Sequence, residues 1–382
     1  MKIDILYRTL LDSMGQRFLT GGVETYILAL GKLCNELGFD TSVYQLADTQ
    51  FDVERDSIRV IGVPAEHTSP ARQVARLIVA ANERRTVGRR ILIFGADHFS
   101  VRMRDPRSIL IQHGISWDLP RIRQDGGGTE AGAVLKQARV FWLAKRAFEN
   151  TSNRVCVDYN FLSWYRTVAV RGVTERTWVI PNFTRVLDWA TINRNRPTDG
   201  TVSILFARRF TDYRGTRLLA WVMKRMLPEL ENIRFTLAGE GPDEDWLRRQ
   251  FEGEERVAFT RYTPDQTMDV HSRHHIAVVP SLGSEGTALS VAEALGAGCA
   301  VVATNVGGIT NMILDGYNGL LVMPTEEALL EALMTVIDDD GLRLRLALRG
   351  WETACSAFSI ERWKKQWGQV LDEVAGREQC AG

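Results

Sequence analysis

The sequence has few cysteines, and this scarcity argues against two classes of protein. Among the 382 residues there are only five, an odd number that is widely scattered and forms no Cys-x-x-Cys pair. Disulfide-rich secreted domains and cysteine-ligated zinc modules both need cysteines at closely defined spacings. The sequence also opens without the basic and apolar segments of a signal peptide. We therefore expect reduced thiols and a cytoplasmic location.

Long apolar stretches and an excess of charge of one sign are lacking as well. No window approaches the roughly 18 uninterrupted apolar residues of a membrane-spanning helix. The formal net charge is zero, so no nucleic-acid partner is indicated. The charge is unevenly divided, however, because residues 1–180 carry 25 Lys and Arg against 19 Asp and Glu. This polarity indicates that the first half faces something anionic, such as a membrane surface.

The alternation of apolar runs and helical patterns predicts the fold class. A chain of 382 residues exceeds the size at which one core keeps growing, so two domains are expected. The apolar runs are rich in β-branched residues and lack a period of two, which is typical of parallel sheets covered on both faces. We expect two Rossmann-like, doubly wound α/β domains, residues 1–184 and 185–358, facing each other across a cleft. The aromatic segment 359–382 either packs on the second domain or returns to the first.

Two glutamates lie in a pattern that suits a ligand site. Glu285 follows a strand that ends at Pro280, and Glu293 lies on the second turn of the helix that comes next. In a doubly wound sheet, the loop after the carboxyl end of a strand is where ligands bind, and helix N-termini attract phosphates. About five helical residues separate the loop from Glu293, a rise of roughly 8 Å. The alternative is a solvent-facing pair on an ordinary helix, and the spacing alone does not choose.

The order of glycine-rich and charged motifs along the chain carries more information than any one of them. The motifs occur in both halves, and the segments are Gly21–Thr25, Val179–Asn182, Phe206–Gly215, Leu237–Pro242, Glu285–Glu293, Gly298–Asn311 and Asp315–Val322. In this order they resemble the family 4 retaining glycosyltransferases, of the glycosyl transferases group 1, which have the GT-B fold. The sequence departs from that pattern at Arg214, where the family has Lys, at Cys299, where it has Pro, and at Asn311, where it has Glu.

The resemblance implies a donor site without a metal or other cofactor. Arg208 and Arg214 would neutralise the leaving diphosphate, because fixed positive charge can replace a metal ion there. Glu285 would hold the transferred sugar, and Glu293 the ribose of the nucleotide. His113, together with Arg208, Arg214 and Glu285, would be catalytic. The implied donor-binding residues are Gly21, Gly22, Arg208, Arg214, Gly239, Tyr262, Glu285, Gly286, Thr287, Ala288, Leu289 and Glu293.

The implied reaction is hexosyl transfer with retention of anomeric configuration. The donor would be a UDP-sugar or a GDP-sugar such as GDP-mannose, and the acceptor a saccharide or a lipid-linked saccharide. Such a reaction belongs to surface polysaccharide or glycoconjugate biosynthesis. Two alternatives stay open, namely a nucleotide-sugar 2-epimerase of the same architecture and a catalytically silent subunit that binds a nucleotide sugar.

Three further patterns have both a functional and a structural interpretation. His271, His274 and His275 share a helical stretch, and we expect a polar helix face rather than a zinc site. Basic and aromatic residues in 70–90 and 132–150 fit either an anionic membrane on the inner face or ordinary solvated helices. The glycine run Gly126–Gly128 lies in a loop that is either a lid or a connector.

Overall fold

The computed structural model describes residues 1–19, 21–64, 68–84, 89–115, 117–118, 130–169, 176–283 and 285–376. The run Gly126–Gly128 lies outside these residues. The chain divides into two compact units. The first comprises Met1–His113, Gly126–Ile180 and Lys364–Gly382, and the second comprises Gly114–Asp125 and Pro181–Trp363.

The first unit is built on an eight-stranded sheet. Its strands are β1 (Lys2–Leu6), β2 (Asp40–Ala47), β3 (Phe51–Arg55), β4 (Ile58–Pro64), β5 (Arg90–Phe94), β6 (Ser108–Gln112), β7 (Asn153–Cys156) and β8 (Thr177–Val179). Their spatial order is β3-β4-β2-β1-β5-β6-β7-β8. The helices are α1 (Gly22–Glu36), α2 (Pro70–Glu83), α3 (Glu130–Phe148) and α4 (Tyr159–Val168).

One strand of this sheet breaks the expected parallel arrangement. β3 pairs antiparallel with β4, whereas every other pair in the sheet is parallel. The turn between them contains Asp56 and Ser57, both with positive φ, at 51° and 63°. A two-residue turn of this kind matches the twist of a hairpin. The sequence does not predict β3, because its residues are mostly polar and mostly exposed and therefore lack the continuous apolar signal of the other strands.

The second unit has a six-stranded parallel sheet. Its strands are β9 (Val202–Ala207), β10 (Ile233–Ala238), β11 (Val257–Thr260), β12 (Ile276–Val279), β13 (Ala300–Thr304) and β14 (Leu320–Val322), in the order β11-β10-β9-β12-β13-β14. The helices are α5 (Trp189–Asn195), α6 (Thr216–Met226), α7 (Glu244–Gln250), α8 (Thr267–Ser272), α9 (Leu289–Gly296), α10 (Glu326–Asp338) and α11 (Asp340–Thr353).

Both faces of the second sheet are buried, as the sequence predicts for parallel strands. Val278 and Val302 belong to one apolar cluster, whereas their neighbours Val279 and Val301 belong to another. Successive residues of a strand point to opposite faces, so the two clusters lie on opposite sides of the sheet. The uninterrupted valine runs thus arise because each face needs its own apolar side chains.

The last helix contributes to both units. α12 spans Ile360–Ala375. In the second unit the ring of Trp363 packs on Phe183, with centroids 4.4 Å apart. In the first unit Trp367 Nε1 donates a hydrogen bond to the Tyr26 hydroxyl at 2.7 Å. Among the described residues, no helix has the length and apolar character needed to cross a membrane.

The order of the parallel strands reverses direction once in each sheet. In the first unit the reversal lies between β1 and β5, and in the second it lies between β9 and β12. Loops at such a point diverge to opposite faces and leave a crevice at the carboxyl edge. Arg208 directly follows β9, and Glu285 lies in the loop after β12. The fold therefore places these two residues on adjacent loops.

Candidate active site

A buried ion-pair cluster lies at the strand reversal of the second unit. Arg208 Nη2 donates to Glu285 Oε1 at 2.5 Å, and Arg214 Nη1 contacts the same oxygen. The side chains of Arg208 and Glu285 are only 7% and 6% exposed, whereas that of Arg214 is 24% exposed. Arg214 therefore forms the more accessible side of the cluster.

Two glycines allow the backbone segments of this cluster to approach one another. Gly215, which follows Arg214, has φ of 81°, and a Cβ there would lie 1.9 Å from the carbonyl oxygen of Pro280. Gly239 has φ of 157°, and its Cβ would lie 2.0 Å from the carbonyl oxygen of Arg208. A side chain at either position would force the loops apart. Close contact between backbone segments thus explains why these two motifs contain glycine.

Electrostatics keep all three groups of the cluster charged. Burial alone would raise the pKa of Glu285, but the charges of Arg208 and Arg214 together hold it below its ordinary value. Burial lowers the pKa of Arg208, and Glu285 opposes that effect. Two cations and one anion leave the cluster with an excess positive charge in a poorly solvated place. Such a site favours an incoming anion, because the charges are already oriented.

The N-terminus of α9 lies a few residues after Glu285 and supplies backbone N–H donors. The residue before the helix, Ala288, is extended and makes no side-chain capping bond. The first N–H groups of a helix have no partner within it. The approach to the helix is held in place because the Asn182 backbone N–H donates to Thr287 Oγ1 at 2.9 Å. Gly286, Thr287, Ala288 and Leu289 thus form an ordered entry to α9 beside the cationic cluster.

Glu293 lies on α9 in a different environment from Glu285. Burial raises the pKa of Glu293 to about 7, partly opposed by the charge of Arg208. Tyr262 lies nearby, since burial and then the charge of Glu293 raise the pKa of its hydroxyl. The tyrosine ring in turn packs edge-on against His271. The pKa values of the two glutamates are therefore shifted in opposite directions, although only eight positions separate the residues.

The remaining predicted site residues lie in the first unit. Gly21 precedes α1 in extended conformation, and Gly22 is the first residue of that helix. His113, which follows β6, has its Nε2 2.7 Å from the carbonyl oxygen of Gly95. A carbonyl only accepts, so Nε2 carries the hydrogen and Nδ1 remains an acceptor. Burial lowers the pKa of His113 to about 4, so the ring is neutral at physiological pH.

Two polar residues of the second unit contact the site but are not among the predicted site residues. Ser281 Oγ accepts a hydrogen bond from Arg208 Nη1 at 2.7 Å and donates one to Glu285 Oε1 at 2.5 Å. Asn182 binds Thr287 through both its backbone and its amide group. The sequence contains one indication that Ser281 belongs to the site, which is its position directly after the strand that leads to Glu285.

The prediction of a polar histidine face was wrong. His271 and His274 are 1% and 7% exposed. His271 Nδ1 lies 2.8 Å from the carbonyl oxygen of Thr267, and His274 Nε2 lies 2.8 Å from Thr236 Oγ1. The residues that the structure describes contain no group of three or more His, Cys, Asp or Glu placed to hold a metal ion. His271 and His274 are therefore core residues, since α8 packs against the sheet through Val270.

Two arginines of the segment 70–90, for which a membrane surface and a solvated face were both open, are paired with carboxylates. Arg84 pairs with Asp52, and Arg90 pairs with the fully buried Asp4. The acidic partners that compensate these charges lie on neighbouring strands, so the sequence of the segment 70–90 alone does not reveal them. In the other segment, 132–150 on α3, Trp142 and Leu143 are exposed, at 55% and 47%.

Comparison with known structures identifies the fold class. A sucrose-phosphate synthase from Thermosynechococcus elongatus matches with a TM-score of 0.76 and 18% identity, over 98% of this chain and 99% of that one. HepE from Anabaena, in complex with UDP and glucose, matches with a TM-score of 0.68 and 17% identity, over 97% and 99% of the two chains. Both neighbours are GT-B glycosyltransferases, so the chain has the GT-B fold of two parallel-sheet α/β domains.

Sequence comparisons then show which family the second unit resembles. Residues 201–339 match the family Glycosyl transferases group 1. The gpi3 subunit of phosphatidylinositol N-acetylglucosaminyltransferase from Schizosaccharomyces pombe is 27% identical over 219 residues, 56% of this chain and 46% of that protein. The phosphatidyl-myo-inositol mannosyltransferase of Mycolicibacterium smegmatis is 25% identical over 340 residues, 87% and 85% of the two chains. The alignment spans about half the length of the first of these relatives. Residues 201–339 are thus similar to the glycosyl transferases group 1, and the whole chain has the GT-B fold.

Proposed function

We propose that this protein is a retaining glycosyltransferase. It transfers a hexosyl unit from a nucleotide-diphosphate sugar to a saccharide or a lipid-linked saccharide. The observation that carries the proposal is the buried cluster of Arg208, Arg214 and Glu285 beside the uncapped N-terminus of α9. Fixed cations and helix N–H groups at one sheet edge are the groups that bind a diphosphate.

The cluster suggests how the donor lies along α9. The diphosphate binds Arg214, the more exposed cation, together with Arg208 and the first N–H groups of the helix. Glu293 accepts hydrogen bonds from the ribose, and Tyr262 lies at the nucleobase. Glu285 uses Oε1 for the two arginines and offers Oε2 to hydroxyl groups of the transferred sugar. One nucleotide sugar thereby contacts Arg208, Arg214, Tyr262, Glu285 and Glu293, all of which lie in the second unit.

The proposed chemistry requires charge stabilisation rather than a protein nucleophile. The bond between the anomeric carbon and the diphosphate oxygen breaks, and the diphosphate keeps the electron pair. The acceptor hydroxyl oxygen then bonds to the anomeric carbon on the face that the diphosphate leaves, and its proton passes to a diphosphate oxygen. Arg208 and Arg214 stabilise the negative charge as it develops, so the reaction proceeds without a metal ion. His113, which is neutral, accepts a hydrogen bond from the sugar through Nδ1.

The relatives support the substrate classes. HepE was crystallised with UDP and glucose, and the mannosyltransferase of M. smegmatis acts on phosphatidyl-myo-inositol. A UDP- or GDP-sugar donor and a lipid-linked acceptor are consistent with both. We place the reaction in surface polysaccharide or glycoconjugate biosynthesis on the cytoplasmic side of a membrane.

A surface on α3 supports peripheral contact with that membrane. Its exposed apolar side chains include Leu135, Trp142 and Leu143. Arg146 lies over the ring of Trp142, with the guanidinium carbon 5.2 Å from the centroid. Exposed aromatic and basic side chains together are typical of helices that lie at an anionic lipid interface.

The test of the proposed function combines binding with turnover. Purified protein is mixed with UDP-, GDP-, ADP- and dTDP-sugars, and the cognate donor should raise the melting temperature. Release of the nucleoside diphosphate is then measured with and without saccharide and lipid-linked acceptors. Release that depends on an acceptor, with a retained anomeric configuration in the product, supports the proposal. Release without any acceptor and with epimerised sugar would indicate the 2-epimerase, and binding without release would indicate a silent subunit.

A further inference from the structure

The hydroxyl group of Ser281 closes a ring of hydrogen bonds between the two oppositely charged residues of the site. Arg208 Nη1 donates to Ser281 Oγ at 2.7 Å, and Ser281 Oγ donates to Glu285 Oε1 at 2.5 Å. Arg208 Nη2 completes the ring by donating directly to the same Oε1 at 2.5 Å. Ser281 is fully buried, so water does not replace these bonds.

The direction of each bond in this ring is determined by chemistry. A guanidinium has donors only, and an ionised carboxylate has acceptors only. A hydroxyl is the smallest side-chain group that accepts from the first and donates to the second. Alanine at this position would leave one buried N–H of Arg208 without its partner and would free the carboxylate to turn.

The backbone of Ser281 is held from two directions. Thr304 Oγ1, at the end of β13, donates to the carbonyl oxygen of Ser281 at 2.5 Å. The next residue, Leu282, donates its N–H to the carbonyl oxygen of Tyr213 at 2.9 Å. Tyr213 immediately precedes Arg214. The hydroxyl is therefore presented from a rigid segment that is also tied to the turn carrying the second cation.

We propose that Ser281 is a positioning residue for sugar transfer, which holds Arg208 and Glu285 in the geometry that the transition state requires. It touches neither the diphosphate nor the sugar and acts through these two charged groups. The inference rests on the proposed function, since it assigns Arg208 to the diphosphate and Glu285 to the sugar. Preorganised charges need no rearrangement at the moment of reaction, so their loss lowers kcat more than substrate binding.

The test compares three variants of Ser281 with a matched control. Ser281→Ala removes the hydroxyl, Ser281→Thr keeps it, and Ser281→Cys keeps the volume with only a weak S–H donor. The control is Ser203→Ala, because Ser203 is a buried serine near the opposite end of the same sheet, where it bonds to the Arg273 carbonyl. Melting temperatures are measured for all variants, with kcat, donor KM and the affinity for the free nucleoside diphosphate.

We expect Ser281→Ala to lower kcat about ten- to a hundredfold, the range for a lost hydrogen bond to a charged group. Donor KM and nucleoside diphosphate affinity should change by less than about threefold, since uniform binding is retained. Ser281→Thr should restore most of kcat, and Ser281→Cys should lie between the two. Ser203→Ala should keep the wild-type kcat.

The pH profile gives a second, independent readout. The bond from Ser281 helps to lower the pKa of Glu285, so its removal raises that pKa and moves the acid limb of kcat to higher pH. The charged groups that face Glu285 are Arg208 and Arg214, the latter over the ring of Tyr213, and they are unchanged in Ser281→Ala.

The outcomes separate the two proposals. A wild-type kcat and pH profile in Ser281→Ala, or equal losses in the Ala and Thr variants, would overturn the role of Ser281 while leaving the proposed function intact. If Ser281→Ala does not fold, the same comparison is made between the Cys and Thr variants. A wild-type protein that releases no nucleoside diphosphate from any nucleotide sugar would overturn the proposed function, and the role of Ser281 with it.

Discussion

Glu285 Oε1 lies 2.5 Å from Arg208 Nη2, with both side chains more than nine-tenths buried. A buried ion pair costs desolvation energy and is weak evidence for stability alone. Here the pair also includes a second arginine and lies at the reversal point of a parallel sheet. We therefore interpret it as a binding arrangement for a further anion.

The first prediction separates the two glutamates by their kinetic effects. Glu285→Gln should lower kcat about ten- to a hundredfold, because its bonds to the sugar strengthen in the transition state. Glu293→Gln should mainly raise donor KM, because the ribose does not change during the reaction. Titration with the free nucleoside diphosphate should show near-normal affinity for the Glu285 variant and weak affinity for the Glu293 variant. The reverse order would show that the donor does not lie along α9 as proposed.

The second prediction concerns the positive charge of the cluster. Arg208→Ala should lower kcat by about 10²–10³, the effect of losing a donor aimed at developing charge. Arg248→Ala, which removes an exposed arginine of α7, is the control and should leave kcat unchanged. The wild-type rate should persist in excess EDTA, because the arginines supply the charge that a metal would. Loss of the rate in EDTA and its recovery with magnesium or manganese would refute this assignment.

The third prediction concerns stability and pH. Burial raises the pKa of Glu293 from 4.5 to about 7, so the folded protein binds this proton more tightly than the unfolded chain. Ionising Glu293 therefore costs stability, and the cost is absent below pH 4, grows between about pH 4.5 and 7, and is constant above. Glu293→Gln should be more stable than the wild type at pH 8 by about 1–3 kcal/mol, and the advantage should vanish near pH 4.

Urea denaturation of the ligand-free protein at several pH values measures this difference. Glu331→Gln, on an exposed position of α10, serves as the control. A stability gain of the Glu293 variant that is independent of pH would mean that packing, rather than ionisation, is its cause.

The fourth prediction concerns His113. Its pKa of about 4 means that the imidazole does not titrate between pH 5.5 and 9. His113→Asn, which keeps a hydrogen-bonding group, should lower kcat without changing the shape of the pH profile over that range. NMR titration of the His113 ring should show no transition near pH 6.5. A transition there, absent from the variant, would show that His113 works as a general acid or base instead.

The fifth prediction concerns the exposed surface of α3. Wild-type protein should sediment with vesicles that contain anionic lipid, and the binding should weaken as salt screens the charges. Trp142→Ala together with Leu143→Ser should reduce binding strongly, because these side chains supply the apolar contact. Leu348→Ser, which changes an exposed leucine on α11, is the control and should bind as the wild type does. Equal binding of both variants would leave α3 as an ordinary solvated helix.

The sequence by itself determined the class of fold, because that information is local. Continuous apolar strands require sheets covered on both faces, and glycine loops after strands mark the edge where ligands bind. The candidate site residues at positions 208, 214, 285 and 293 could be identified from the sequence for the same reason, because the motifs that contain them are local. The hairpin strand β3 could not be predicted from the sequence, because its mostly polar residues have the pattern of a loop. It is a strand only through its pairing with β4.

Only the tertiary structure decided the environment of each residue. Arg208 and Glu285 are 77 positions apart, and the strand order alone makes them neighbours. Burial raises the pKa of both glutamates of one motif, but Glu285 also meets two arginines, whose charges bring its pKa below the ordinary value, and Glu293 does not. The same burial turns the predicted polar face of His271 and His274 into core. Solvation and long-range charge depend on contacts across the fold, and no local pattern contains them.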